Sequence, residues 1–349
     1  MDQNATYLAD EAEYWRKMDA LFADAESLQV QLIPSLNWCL FLWPDLAGDS
    51  LHEMVANPHS ASSAMLQKYV TTFVTRYANS SAVFAWELGN EYNLQVDLDF
   101  SDGCCNDSGV APPLGTPTHR SRADNFSTAE LSSFQARYAG WIRAADGKRR
   151  PISTGHAVPR PGAWHLAQSY HAAQRDWGPD TEAQFRESVA TQSTGCELIS
   201  YHYYPGPDNT RFGRTLGPAN SAALFPHLVS AAKAAGKQWY IGEFGTTSPT
   251  DRQFTLNLLD QLGGVKDGPV MATMWVWEFT SSQPNISVVP GRQGDVAVIA
   301  KIKAVNAALK KTPAKTDDGQ HFAKASKLHT VGGASPLPET DWISAAGHG

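Results

Sequence analysis

The sequence has no apolar run near the length of a membrane span, and it contains little cysteine. No hydrophobic stretch approaches the ~18 residues of a transmembrane helix. The opening residues Met1-Asp2-Gln3-Asn4 lack a basic start and an apolar segment, so no signal peptide is visible and the compartment stays undecided. The adjacent Cys104-Cys105 fits neither a metal pair nor a redox C-x-x-C. The sequence leaves open whether one disulfide or only free thiols form among Cys39, Cys104, Cys105 and Cys196.

The chain also has no block of basic residues, and its formal net charge is −7. Nothing therefore indicates nucleic acid or an anionic membrane as a partner. Aromatic residues, in contrast, are plentiful, with 11 Trp and 11 Tyr. Aromatic faces stack on the apolar faces of sugar rings, although most aromatic side chains in any protein pack in the core.

Apolar strand-like runs alternate with helical patterns along the 349 residues, which predicts right-handed βαβ units and a parallel sheet. This pattern is typical of an α/β fold of the (β/α)8 TIM-barrel type, which has eight strands and about 250 residues. Only six β/α units are recognisable, so we expect an incomplete barrel. The predicted strands cover about 29–36, 82–88, 151–154, 197–203, 238–243 and 270–277.

The helical patterns and the end of the chain complete the predicted organisation. Residues 1–311 read as one barrel-like catalytic domain, and the polar segment 312–349 reads as a C-terminal extension. Ser127 and Glu130 form a capping-box pattern at one helix start. Helices are predicted at about 7–27, 57–78, 127–145, 180–192, 219–235, 248–262 and 294–310, with irregular connections at 38–56 and 92–126.

Two of the predicted strands end in a glutamate. The run ending Trp86-Glu87-Leu88-Gly89-Asn90 leads into Glu91, and the run Gln238-Trp239-Tyr240-Ile241-Gly242 leads into Glu243. Catalytic groups of parallel barrels collect at the C-terminal ends of the strands. We therefore expect Glu91 and Glu243 to face each other across a cleft, as glycoside hydrolysis requires. Glu87 is interpreted as a structural buried carboxylate.

Four motifs in this order resemble glycoside hydrolase family 5, the cellulase and mannanase family, over roughly residues 10–310. They are Trp-Glu-Leu-Gly-Asn-Glu, Tyr-His-Tyr-Tyr, Gly-Glu-Phe-Gly and Trp-Val-Trp. The resemblance implies a (β/α)8 barrel. It also implies that the site residues of the family have counterparts at the matching positions of this sequence. Glu91 would be the general acid/base and Glu243 the nucleophile, while Asn90, His202, Tyr204 and Trp277 would bind the substrate, with Trp277 as the sugar platform.

The residue chemistry agrees with those roles. A retaining enzyme places two carboxyl groups about 5–5.5 Å apart, one ionised as nucleophile and one protonated as acid. Asn90 can donate to the sugar 2-hydroxyl, and Tyr204 can hold Glu243 in one rotamer. Asn37, Trp38 and Trp164 are candidate substrate-binding residues of the cleft wall. The carboxylates do the chemistry, so we expect no metal and no organic cofactor.

The sequence departs from the family at its start. The first recognisable strand matches the third strand of the family, so strands one and two, and the strand-two Arg beside the nucleophile, have no counterpart. Three explanations for the missing strands remain open: a shortened barrel, a neighbouring subunit that covers the gap, or a circular permutation. We expect the gap to be covered by helix 7–27, by the segment 312–349, or by another subunit in a homo-oligomer.

The sequence thus predicts a retaining glycoside hydrolase that cleaves β-linked glucan or mannan. An oligo- or polysaccharide would be its partner, with no nucleic acid and no membrane. The alternative is a carbohydrate-binding pseudoenzyme that lost activity with the missing strands, and a barrel fragment that is stable only in an assembly is a third interpretation. The sequence does not identify the sugar, the linkage, or endo versus exo attack.

Overall fold

The structure is a computed structural model that describes residues 7–100, 120–204, 210–216, 223–246, 252–262, 268–279 and 285–311. The pair Cys104-Cys105, the predicted helix start at Ser248-Pro249 and the segment 312–349 lie outside the described residues. Cys196, which is described and buried, is a free thiol. No helix in the described ranges is both long and apolar enough to cross a membrane.

One six-stranded sheet organises the described part of the chain, and all its strand pairs are parallel. Its order is β1-β2-β3-β4-β7-β8, and a separate hairpin pairs β5 with β6. The curled sheet has the strand order of six consecutive units of a barrel. The bounds are β1 Ser35–Asn37, β2 Trp86–Gly89, β3 Ile152–Ser153, β4 Leu198–Tyr203, β5 Thr210–Arg211, β6 Arg214–Thr215, β7 Gln238–Phe244 and β8 Ala272–Met274.

Helices cover the convex face of this sheet. Ser127 and Glu130 form the predicted capping box at the start of α5. The bounds are α1 Glu11–Ser27, α2 Leu42–Ala47, α3 Leu51–Ala56, α4 Ala61–Tyr77, α5 Thr128–Ala145, α6 Ala163–Gln168, α7 Glu182–Gln192, α8 Phe225–Ala234, α9 Gln253–Leu262 and α10 Gln293–Lys311.

Two element predictions were wrong in detail, and one element was missed. The connection 38–56 is not irregular, because it contains α2 and α3, and Ser50 caps α3 by accepting a hydrogen bond from the Glu53 amide at 3.1 Å. Helix α4 begins at Ala61, after the N-cap Ser60, and not at the Asn57-Pro58 start signal. The β5–β6 hairpin was not predicted, since its two-residue strands carry no periodic signal.

The two faces of the sheet have different side chains. On the convex face, Trp86 and Leu88 pack with the helices in one core cluster, and Tyr201, Trp239 and Phe244 pack in another. A small third cluster of Ala85, Leu198 and Tyr240, with Ile33 and Met271 against it, fills the bottom of the concave side. Polar residues lie above it on the concave side, which leaves the carboxyl edge of the sheet for chemistry.

The sheet ends at β1 and β8, each of which pairs with a single neighbour among the described strands. Helix α1 lies in the outer layer against α4, where the Tyr14 and Tyr69 hydroxyls are 2.6 Å apart and Phe22 stacks on Tyr77. At the carboxyl edge, Trp38 after β1 stacks on Trp275 after β8, with ring centroids 5.4 Å apart. The two sheet edges therefore meet through a ring contact at the top of the concave face.

Candidate active site

Glu91 lies just beyond the end of β2 and has a left-handed backbone with φ 54°. This conformation is uncommon for a residue other than glycine, and such strained positions cluster at functional sites. The Glu91 amide donates to the carbonyl of Gly155 at 2.8 Å, which fixes the turn against the segment after β3. The turn directs the Glu91 side chain away from the strand alternation of β2 and toward the carboxyl edge.

Glu243 reaches the concave face through a bulge in β7. Pairing with β4 shifts register between Tyr201↔Ile241 and His202↔Glu243, and Gly242 is the extra residue. A β-bulge re-aims the side chains that follow it, which is why bulges are common next to active sites. Gly242 is required here, because a Cβ at this position would lie 2.4 Å from Ser200 Oγ.

The two glutamates meet at His202. Its Nδ1 lies 3.0 Å from Glu91 Oε1 and 3.5 Å from Glu243 Oε2. One ligand atom from each of the three side chains lies within 4.8 Å of the other two. Tyr204 donates its hydroxyl hydrogen to Glu243 Oε2 at 2.7 Å. The structure thus brings four of the predicted site residues into one cluster.

Charges and burial oppose each other in this cluster. Burial lowers the pKa of His202, but the Glu91 hydrogen bond and the charges of Glu243, Glu91 and Glu87 outweigh it, so the pKa is raised above its ordinary value. Burial raises the pKa of Glu243, and the charge of His202 and the Tyr204 hydrogen bond offset only part of that rise. The imidazole therefore tends to be charged, while the Glu243 carboxylate is costly to ionise.

His156 supports the cluster from the segment that follows β3, which is the neighbour of β4 on the side away from β7. Its carbonyl accepts a hydrogen bond from the His202 amide at 3.2 Å, and the Gln135 amide nitrogen contacts its Nε2 at 2.6 Å. An amide nitrogen donates to Nε2 only when that nitrogen is unprotonated. Burial and the charge of His202 lower the pKa of His156 to about 3. His156 is thus a neutral support for the backbone of His202.

Asn37 and Asn90 bring unused hydrogen-bonding groups to the carboxyl edge. Asn37, the last residue of β1, is 0 % exposed, and neither of its side-chain polar atoms has a partner among the described residues. The Oδ1 atom of Asn90 is likewise buried without a partner there. Buried polar groups are rarely left unpaired in proteins, so each such group needs a reason.

The aromatic candidates differ in their surroundings. Trp38 stacks on Trp275, as described above. The ring of Trp277 is 45 % exposed, and its Nε1 donates to the Glu278 carboxylate at 3.1 Å. Trp164 contacts His165 edge-on, and none of its contacts given by the structure joins it to Glu91 or Glu243. Trp38 thus contacts another tryptophan of the sheet edges, and no contact shown among the described residues joins Trp277 or Trp164 to Glu91 or Glu243.

The same three side chains, Glu91, His202 and Glu243, form the group that could hold a metal ion in the described part of the chain. Their ligand atoms are already paired with one another through His202 Nδ1. Two carboxylates and an imidazole can also do acid–base chemistry without an ion.

Sequence reasoning missed Gly155, His156 and the role of Gly242. The signal for the bulge was a glycine directly before Glu243 within an apolar strand, which is a known mark of a bulge or a close approach. No sequence signal identifies Gly155 or His156, because they act through a carbonyl and a buried ring that only tertiary packing brings to the site.

Comparison with known protein families shows which family this chain belongs to. The sequence model of the family described as Cellulase (glycosyl hydrolase family 5) matches residues 43–280, more than half of the chain. The chain belongs to glycosyl hydrolase family 5. The resemblance predicted from the four motifs is therefore confirmed, and so is the TIM-barrel type of the fold.

Two curated relatives match parts of the chain, and both have names that describe a mannan endo-1,4-beta-mannosidase. The chain is 58 % identical over 33 residues to mannan endo-1,4-beta-mannosidase A of Hypocrea jecorina, covering 10 % of this chain and 8 % of the relative. It is 34 % identical over 88 residues to probable mannan endo-1,4-beta-mannosidase A of Aspergillus niger, covering 23 % of this chain and 22 % of that relative. The matched regions thus span under a quarter of each curated relative.

One solved structure resembles most of this chain in its fold. The endo-beta-1,4-mannanase from Thermotoga petrophila aligns with a TM-score of 0.54 at 16 % identity, covering 84 % of this chain and 62 % of that chain. At this identity the likeness establishes the fold alone. The six parallel strands correspond to part of a family 5 barrel, as the sequence predicted.

Proposed function

We propose that this family 5 protein is a retaining glycoside hydrolase that cleaves β-linked mannan or glucan with Glu243 as nucleophile and Glu91 as general acid/base. The observation that carries the proposal is the convergence of both carboxylates on His202 within 4.8 Å at the carboxyl edge of the sheet. Carboxyl groups about 5–5.5 Å apart suit retention, whereas inverting enzymes hold them roughly 6.5–9.5 Å apart.

In the first step, Glu243 attacks the anomeric carbon while Glu91 protonates the departing glycosidic oxygen. A covalent glycosyl–Glu243 ester forms as the glycosidic bond breaks. His202 Nδ1, 3.0 Å from Glu91, can donate a hydrogen bond to the carboxylate that remains after the proton leaves. Tyr204 stabilises the ionised form of Glu243 before the attack, since its hydroxyl donates to Oε2.

In the second step, Glu91 acts as a general base. It takes a proton from a water molecule, which attacks the anomeric carbon and releases Glu243 with the original anomeric configuration. The positive charge of His202 can stabilise each carboxylate in turn, because its Nδ1 lies 3.0 Å from Glu91 Oε1 and 3.5 Å from Glu243 Oε2.

Substrate contacts are proposed for the remaining candidates. The unpartnered amides of Asn37 and Asn90 can bond sugar hydroxyls at the carboxyl edge. The Trp38–Trp275 stack forms an aromatic wall beside them, and Trp277 and Trp164 offer further ring surface. The printed names of the curated relatives favour mannan as the first substrate to test, with glucan second.

The first experiment measures hydrolysis of aryl β-mannosides and aryl β-glucosides, with the anomer of the first product followed by NMR. We expect the β-anomer to form first. Glu91→Gln and Glu243→Gln should each lower kcat about 100-fold or more while the thermal melting temperature stays near that of the unchanged protein. Glu187→Gln, at an exposed position of α7, is the matched control and should keep full activity.

An initial α-anomer, or full activity in either glutamate variant, would contradict the proposal. Binding of β-mannan oligosaccharides without any turnover would instead support the carbohydrate-binding pseudoenzyme.

A further inference from the structure

A hydrogen bond joins Glu87 on β2 to Tyr240 on β7, two strands that are not neighbours in the sheet. Because β3 and β4 lie between them, and strands are about 4.8 Å apart, roughly 14 Å would separate β2 from β7 in a flat sheet. Side chains on one face of a flat sheet stand parallel to each other and do not converge. The contact between Glu87 and Tyr240 therefore spans the concave side of the curled sheet.

The same two strands lead to the glutamates of the candidate site. Glu87 precedes Glu91 by four residues, and Tyr240 precedes Glu243 by three. At about 3.3 Å per residue, the Glu87–Tyr240 contact lies on the order of 10 Å below the glutamate pair. A bond at this depth between β2 and β7 constrains how far apart their carboxyl ends stand.

Glu87 also contacts the segment that holds the backbone of Glu91. Ser153 Oγ on β3 lies 3.4 Å from Glu87 Oε2 and 3.2 Å from the Tyr240 hydroxyl. Two residues later, a Cβ at Gly155 would lie 2.9 Å from the Glu87 side chain. The carbonyl of Gly155 accepts the Glu91 amide at 2.8 Å. A displacement of Glu87 would therefore displace Glu91, because Ser153 and Gly155 pack between them.

The surroundings of Glu87 do not suit a negative charge. It is 8 % exposed, and no Lys or Arg within the described ranges pairs with its carboxyl group. The groups that face it are Tyr240 from β7, His202 from β4, Ser153 from β3 and Ser35 from β1. Burial raises the pKa of Glu87, although the Tyr240 hydrogen bond, the charge of His202 and the two serine hydroxyls oppose the rise.

We propose that the hydrogen bond between Glu87 and Tyr240 across the concave side of the sheet positions Glu91 and Glu243 at their catalytic separation. This role rests on the function proposed above. Glu87 touches neither substrate nor reacting atoms, so it is a positioning residue.

Three variants separate positioning from plain stability. Glu87→Gln keeps an uncharged acceptor for the Tyr240 hydroxyl, and its kcat should stay within about threefold of the unchanged protein. Glu87→Ala and Tyr240→Phe remove the bond, and their kcat should fall about 10- to 100-fold with KM within about twofold, since a small misplacement of catalytic groups impairs the chemical step. Tyr201→Phe, an equally buried tyrosine on the convex face, is the control and should keep its kcat.

Unchanged kcat in Tyr240→Phe would overturn the positioning role. A Glu87→Gln variant as impaired as Glu87→Ala would overturn the claim that the hydrogen bond to Tyr240 positions the pair.

Two measurements without substrate distinguish failure of this inference from failure of the proposed function. A crystal structure of Tyr240→Phe should show the Glu91–Glu243 carboxyl separation changed by more than about 0.5 Å, the tolerance of a catalytic constellation. A crystal structure of Glu87→Gln, which keeps an acceptor for the Tyr240 hydroxyl, should show the same separation as the unchanged protein. An unchanged separation in Tyr240→Phe, or a changed separation in Glu87→Gln, overturns the inference even if the protein hydrolyses no glycoside.

Discussion

His202 contacts both glutamates, and the charge of its ring affects both proposed catalytic roles. Without a positive imidazole, Glu243 would have only the Tyr204 hydroxyl to offset its burial among the described residues. Glu91 would likewise lose the positive charge of the ring whose Nδ1 lies 3.0 Å from its Oε1. The chemistry of the site therefore depends on a few hydrogen bonds to charged groups, and each can be removed by one conservative substitution.

Tyr204→Phe tests one of these bonds. Burial raises the pKa of Glu243, and the Tyr204 hydrogen bond opposes that rise by favouring the ionised form. Removing the hydroxyl should therefore raise the pKa of Glu243 further and move the acid limb of kcat/KM to higher pH. The check is a pH profile of kcat/KM, with Tyr201→Phe on the convex face as the control that leaves the limb in place. A limb that does not move, or moves to lower pH, would rule out this role for Tyr204.

His156 links the site to acid stability. Its pKa is lowered to about 3 in the fold, by burial and by the charge of His202, whereas an unfolded histidine titrates near ~6.5. Between these values the unfolded chain binds a proton that the folded chain does not. This contribution to stability is present above about pH 6.5 and is lost as the pH falls toward the folded value, by up to ~1.4 kcal/mol per pH unit.

Urea unfolding from about pH 7 down to about pH 5 measures that slope. The free energy of unfolding should fall less steeply with decreasing pH in His156→Gln than in the unchanged protein. His59→Gln, at an exposed position, should keep the original slope. Equal slopes in all three proteins would contradict a lowered pKa of His156 in the fold.

At the residue scale, the sequence predicted the side chains that form the candidate site better than the side chains that hold them in position. Glu91, Glu243, His202 and Tyr204 were predicted from strand ends and family motifs, and they lie together in the structure. Glu87 was predicted only as a structural carboxylate. Its bond to Tyr240 joins residues that are far apart in the chain, and no local pattern indicates which buried tyrosine faces which carboxyl group.

At the scale of the elements, the bulge in β7 decides which face Glu243 occupies. Tyr240 lies on the concave side, whereas Ile241 and Phe244 pack among the convex-face residues. In strict alternation Glu243 would share the face of Ile241. The extra residue Gly242 shifts the register and returns Glu243 to the concave side. The sequence predicted the strand and its ending but not the bulge, because the register of a strand depends on its partner.

Gly242→Ala tests the bulge. The added Cβ would lie 2.4 Å from Ser200 Oγ and 3.0 Å from His202 Cδ2, so the strand or the ring must shift. We expect kcat to fall about 10-fold or more, since His202 contacts both glutamates. Adding Ser200→Ala removes the closest atom and should restore part of the activity. Gly140→Ala on α5, where a Cβ meets nothing within 4 Å, is the control. A fully active Gly242→Ala would show that the bulge tolerates a side chain.

At the scale of the whole molecule, the described structure is a curled six-stranded part of a barrel whose two edge strands meet through Trp38 and Trp275. The sequence predicted six strands and a gap, and it proposed helix 7–27, the segment 312–349 or another subunit as cover. Helix α1 lies against α4 in the outer layer. The gap in the sheet follows from the number of strands, whereas the tryptophan stack depends on the curl, which local sequence does not reveal.

The division into a domain at 1–311 and an extension at 312–349 remains a proposal. The composition of residues 312–349 is polar and lacks helical or strand periodicity, which supports the division. We therefore expect a chain ending at Lys311 to melt within a few degrees of the full chain and to keep its kcat. Thermal melting, activity and mass by light scattering, measured on both chains over a range of dilutions, provide the check. A large loss of stability on truncation would make the extension part of the domain, and a concentration-dependent dimer would support the proposed homo-oligomer.

Azide rescue of two alanine variants tests most directly whether Glu243 is the nucleophile and Glu91 the acid/base. With an activated aryl β-glycoside, Glu243→Ala plus azide should regain turnover and give the α-glycosyl azide, because azide attacks from the face that Glu243 left open. Glu91→Ala plus azide should give the β-glycosyl azide, because azide replaces water on the glycosyl–Glu243 ester. The reversed pair of products, or high activity in either variant without azide, would contradict the assignment.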